Sequence, residues 1–212
     1  MSLIIFPWLS LLSQLYVVGV VIYCRKELSR DMVVLGGYFV VSLIISGVQA
    51  TLAVNRVNNL WTGQIFIPIQ YALIMYVFYI WNRSSLMGTI IRYSIPVFVA
   101  AWSLGVILSG SLASAYTYSD PISAAIFIFT ASYTLLSIDR IEGEPLLAMP
   151  AFWVSSATIV YFGSTIVLSS LSSALWRSSV STMQLAWSLQ AIMNILANVL
   201  YAGGFLCLRR KT

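Results

Sequence analysis

The chain has 212 residues, of which 60% are hydrophobic and 8% charged, with a net charge of +5 at pH 7. Soluble domains carry about 25% charged residues, so the composition excludes one. It also excludes nucleic-acid binding as the meaning of the positive charge: no basic cluster exceeds Arg209-Arg210-Lys211, and basic residues beside apolar spans set membrane topology.

Seven stretches of 18 residues or more contain no Asp, Glu, Lys or Arg: 1–24, 32–55, 57–82, 93–119, 121–138, 145–176 and 178–208. A hydrocarbon core about 30 Å thick takes roughly 20 apolar residues per helix, so each stretch fits one crossing. The expected spans are 3–23, 33–54, 60–81, 95–114, 120–137, 150–172 and 184–207. The fold class is therefore an all-α, seven-helix transmembrane bundle, read as a single domain.

The first span has no basic n-region and ends in Arg25-Lys26 rather than at a small-residue cleavage site, so it reads as a permanent helix. Cys24 and Cys207 close the first and seventh spans without metal-ligand spacing, and the chain has no His. Both are expected as reduced thiols near the cytoplasmic face. On the second span Ser42, Ser46 and Ala50 repeat every four residues, and on the fourth Ala101, Gly105 and Ser109 do the same. Small residues at that spacing let helix backbones approach closely in lipid, and helix packing within the chain is their expected role, with a homodimer seam as the alternative. The third span carries Gln64, Gln70 and Tyr71 around Pro68. The proline ring removes a backbone donor and frees the carbonyl one turn earlier, at Gln64.

Trp102, on the fourth span, is the exception among the aromatic residues, and its expected direction is into the bundle. The others form two belts. Trp8, Trp61, Tyr116, Tyr118 and Trp176 lie at one boundary, and Tyr23, Trp81, Tyr93 and Trp153 at the other. Ser119-Asp120-Pro121 offers an N-cap and a proline at the first position of the fifth helix, and Pro150 opens the sixth in the same way. The acidic loop from Asp139 to Glu144 reads as a solvated linker. The seventh span places Gln190, Asn194 and Asn198 at four-residue steps, with Trp187 and Tyr201 near the same face.

Arg25, Lys26, Arg30, Arg83, Arg92, Arg140, Arg209, Arg210 and Lys211 fall on one side of this arrangement, and only Arg56 and Arg177 on the other. Basic residues accumulate on the cytoplasmic side, so the N-terminus is expected outside and the C-terminus inside.

The absences restrict the chemistry. Without His there is no histidine acid–base pair, zinc site or haem ligand, and without Lys in the seventh span there is no retinal Schiff base there. The spans hold no ionisable acid or base of the kind that marks proton relays and ion-coupled pumps. No enzyme activity, cofactor or metal is expected. What remains is the neutral amides. An unpartnered amide is costly in hydrocarbon, so Gln64, Gln70, Tyr71, Trp187, Gln190, Asn194 and Asn198 are expected to face the interior. If the third and seventh helices are neighbours, these residues form one polar layer. It would serve either as interhelical bonding or as a pocket for a small neutral or lipid-like ligand.

A weak internal repeat supports a third possibility. One constant offset aligns Trp61, Gln64 and Arg83 with Trp187, Gln190 and Arg209, as a 3+1+3 parallel repeat in a small transporter would. The runs Asn58-Asn59-Leu60-Trp61, Ile67-Pro68-Ile69-Gln70-Tyr71, Phe152-Trp153, Val160-Tyr161-Phe162-Gly163 and Ile195-Leu196-Ala197-Asn198 resemble a group of small, uncharacterised bacterial seven-helix membrane proteins. The resemblance implies a multi-pass protein of the bacterial inner membrane and brings no activity or site residues. The expected function is binding in the lipid bilayer, as an accessory subunit beside another membrane protein or as a sensor-like module. The alternative is facilitated transport of a small neutral solute.

Overall fold

The computed structural model describes residues 5–109, 119–138, 145–170 and 180–209. They form α1 (Ile5–Tyr23), α2 (Arg30–Val54), α3 (Leu60–Trp81), α4 (Leu86–Ser109), α5 (Ser119–Leu136), α6 (Pro150–Ser170) and α7 (Val180–Arg209), with a 3-10 turn at Leu146–Ala148. There is no strand among the described residues. Six helices, α2 to α7, are long and apolar enough to cross a membrane, and α1 contributes a shorter apolar helix. This is an all-helical, multi-pass membrane architecture. Tyr116, Tyr118, the acidic loop from Asp139 to Glu144, Trp176, Arg177, Arg210 and Lys211 lie outside the described residues.

The helices gather into two compact units, one of α1, α5, α6 and α7 and one of α2, α3 and α4. In the first, Ser10 pairs with Asn194, Ser13 with Asn198, and the Arg209 guanidinium sits 4.2 Å over the Tyr23 ring. Residue numbers rise together along both helices, so α1 and α7 run parallel. Thr165 pairs with Gln190 and Thr158 with Tyr201, so α6 is antiparallel to α7. Gly203 and Gly204 of α7 lie close against Trp153 and Val154 of α6. The Phe127 and Phe162 rings join α5 to α6 with centroids 4.2 Å apart, a contact that adds about 1 kcal/mol beyond its buried area.

In the second unit α2 and α3 are antiparallel. Trp81 Nε1 donates to Asp31 at 2.7 Å at one end, and the Asn59 amide donates to the Gln49 carbonyl at 3.1 Å at the other. Asp31 also lies in the first turn of α2, where a carboxylate complements the exposed backbone N–H groups. Between α3 and α4, Tyr71 stacks on Phe98 at 3.9 Å.

The largest boundary difference from the sequence reading is α4, which starts at Leu86 rather than at residue 95. Ser85 explains it: its Oγ accepts from the backbone N–H of Gly88 at 3.2 Å, the N-cap bond that starts a helix. Arg92 thus belongs to the helix and not to a loop, and it is exposed. Long cationic side chains near a helix end reach back toward water, so the charge is tolerated. A second correction concerns α5. It begins at Ser119, which makes Pro121 its third residue, and the Ser119 hydroxyl has no hydrogen-bond partner among the described residues. Pro150, by contrast, does open α6. Cys24 and Cys207 are both buried. Cys24 follows the last residue of α1, and burial, reinforced by the Glu27 carboxylate, pushes its pKa up.

Candidate functional site: the interhelical amides

The three amides of α7 fall on one face because four-residue steps advance only about 40° around a helix. Each donates to a hydroxyl on a neighbouring helix. Gln190 Nε2 donates to Thr165 Oγ1 at 2.9 Å, Asn194 Nδ2 to Ser10 Oγ at 2.6 Å, and Asn198 Nδ2 to Ser13 Oγ at 2.8 Å. One turn further on, the Tyr201 and Thr158 hydroxyls share a bond of 2.9 Å. A polar seam therefore runs along α7 and is closed by α1 and α6. Trp187 does not join it; that side chain is 58% exposed.

The amides of α3 bond inside their own unit. Gln70 Nε2 donates to the Tyr38 hydroxyl at 3.3 Å, and the Tyr71 hydroxyl donates to Ser94 Oγ at 3.1 Å. The expected layer shared by the third and seventh helices draws on both units. Within each unit the bonds join α3 to α2 and α4, and α7 to α1 and α6. Gln64 is different, because its Oε1 is buried without a hydrogen-bond partner among the described residues. Gln14 Oε1, Gln190 Oε1 and Ser155 Oγ in the first unit share that condition.

The small-residue rows divide. Ser42 is buried on α2 with Ser46 and Ala50 part-buried, whereas Ala101, Gly105 and Ser109 are exposed on α4. A Cβ added at Gly105 meets nothing within 4 Å. Sequence reasoning missed the hydroxyl partners Ser10, Ser13, Thr158 and Thr165. The three-residue spacing of Ser10 and Ser13 in an otherwise apolar stretch was the available signal.

The arrangement has no described nucleophile–base pair, and no group of acidic, Cys or His residues among the described residues is placed to hold a metal. Its chemistry is hydrogen bonding between neutral groups. Such bonds between membrane helices average about 0.6 kcal/mol. Combining Asn194→Leu with Ser10→Ala in a double-mutant cycle should therefore return a coupling of about 0.6 kcal/mol, read by denaturant titration of the purified protein. A coupling of zero would mean that this pair does not form.

Compared with protein-family models, curated proteins and solved structures, the chain matches none of them.

Proposed function

We propose that the protein acts by binding, as an accessory subunit of a complex in a bacterial inner membrane, with its N-terminus outside and its C-terminus in the cytoplasm. The observation that carries this reading is the use of the α7 amides: all three donate to hydroxyls on α1 or α6. Groups committed to holding helices together leave the outer surface of the bundle as the working part. On that surface the exposed row Ala101, Gly105 and Ser109 of α4 has the spacing that admits a second helix at short range. A transmembrane helix of another protein is the partner it fits. A sensor-like module uses the same surface, with the signal passed to that partner.

The facilitative-transporter alternative draws less support. A 3+1+3 repeat pairs helices 1–3 with helices 5–7, whereas the compact units here group helix 1 with 5–7 and leave 2–4 together.

The test is purification from the native membrane in nanodiscs, with mass spectrometry of what copurifies. A stoichiometric membrane protein is the expected result, and Gly105→Leu should release it while the variant stays folded. A chain that emerges alone at native expression levels would overturn the accessory-subunit reading.

A further inference from the structure

Two buried polar atoms on α3 and α4 have no hydrogen-bond partner among the described residues: the acceptor Gln64 Oε1 on α3 and the donor Trp102 Nε1 on α4. Their positions in the helices bring them to the same place. Tyr71 fixes how α3 meets α4, through its stack on Phe98 and its bond to Ser94. Gln64 lies seven residues before Tyr71, which at 100° per residue returns it to within about 20° of the same face, about 10 Å along the axis. Trp102 lies four residues beyond Phe98, about 40° from it, and about 9 Å beyond the midpoint of Ser94 and Phe98. Gly88 lies against Asn82 at the turn while Ser94 and Phe98 lie against Tyr71, so the two helices are antiparallel and both displacements run in the same direction. By this register the two orphan groups fall level with each other on facing sides of α3 and α4, and they do not bond to each other.

We propose that α3 and α4 form a binding site for a neutral hydroxyl or amide group, which donates to Gln64 Oε1 and accepts from Trp102 Nε1. The chemistry selects that class. A hydroxyl or an amide carries a donor and an acceptor together, while a cation satisfies only Gln64 and an anion only Trp102. A charged ligand also meets no opposite charge at this level, since residues 57–82 and 93–119 contain no Asp, Glu, Lys or Arg and Arg92 lies ten residues, about 15 Å, before Trp102 on α4. Pro68 adds a second acceptor at the same turn, because its ring withholds the donor that the Gln64 carbonyl would otherwise receive. Gln64 is four residues into α3, about 6 Å from the helix start. That depth is within reach of the glycerol region of a lipid as well as of a free solute. The proposal rests on the reading that the protein acts by binding, but its test addresses the α3–α4 site alone and gives its answer whether or not a partner protein copurifies.

The experiment follows the Trp102 indole N–H by NMR in protein labelled with ¹⁵N-tryptophan, with Trp102→Phe assigning the signal. The full chain is held in an amine-oxide detergent, which brings no hydroxyl or amide of its own. Glycerol and monooleoylglycerol are titrated separately, and native mass spectrometry of the starting sample reports any resident lipid. A saturable downfield shift with either probe, weakened about tenfold in Gln64→Met, supports the site. Glycerol alone acting identifies a free solute as the source, and monooleoylglycerol alone identifies a lipid. A resident neutral lipid that Gln64→Met loses supports it equally. The proposal is overturned if neither probe shifts the signal in lipid-free protein, which leaves ordered water as the bridge. It is also overturned if the shift or the lipid is unchanged in a folded Gln64→Met variant.

Discussion

Gly88→Ala should destabilise the protein by about 3 kcal/mol, at the upper end of what overpacking a close-packed site costs. A Cβ at position 88 would run into the Asn82 carbonyl oxygen, with the Asn82 carbon at 2.8 Å and the Arg83 Cα at 3.0 Å. These are backbone atoms, so no rotamer change can make room. The Asn82 carbonyl is also held in place: it accepts from the Ser85 backbone N–H at 2.9 Å and from the Ser85 hydroxyl at 2.8 Å. The same turn carries the Ser85 bond to Gly88 that starts α4. A methyl group there must therefore either spread the α3–α4 connection or break its cap. Gly105→Ala is the control, since it adds a methyl to an exposed helical position with open space around it. It should be neutral or stabilising by up to about 1 kcal/mol, because alanine loses less backbone entropy in a helix than glycine does. Equal stability of both variants in denaturant titrations would mean that α3 and α4 are not joined by this tight turn.

The start of α4 also shows where the sequence was legible and where it was not. The apolar lengths that predict spans come from a physical demand of hydrocarbon, and they located α1 to α3 and α5 to α7 to within a few residues. The same rule misplaced α4 because it treats a charge as the end of a span, whereas Arg92 sits in the helix with its side chain exposed. Ser84-Ser85 ahead of an apolar run was the missed start signal. The amides of α7 were legible as a face, because period alone places them. Their partners were not, since Ser10 and Asn194 come from distant parts of the chain and a serine in an apolar stretch equally well bonds its own helix, as Ser13 does to the Ser10 carbonyl. Trp102 was legible as the aromatic residue out of place in the belts. Relating it to Gln64 needed the Tyr71–Phe98 register, which only the packed helices provide.

Gly203→Ala should cost about 2 kcal/mol by disturbing the close approach of α6 and α7. A Cβ at position 203 would lie 2.9 Å from Trp153 Cε3 and 3.1 Å from Cδ2, and one at Gly204 would lie 3.1 Å from Val154 Cγ2. Whether the indole can move aside decides the size of the effect, and its other edge is tied. Trp153 Nε1 donates to the Leu147 carbonyl at 2.8 Å, in the 3-10 turn ahead of α6. Swinging the ring away from position 203 breaks that bond, and a backbone carbonyl at the start of a helix is left short of its donor. The clash and the hydrogen bond therefore belong to one unit of structure, and substitutions within it should not add. In a Trp153→Leu background, where neither the ring nor its bond exists, the added methyl at 203 should cost less than about 0.5 kcal/mol. The coupling between the two positions is then about 1.5 kcal/mol, within the range for residues in direct contact. Additive costs would place the Trp153 ring away from Gly203, and α7 would then approach α6 through other residues than the Gly203-Gly204 pair.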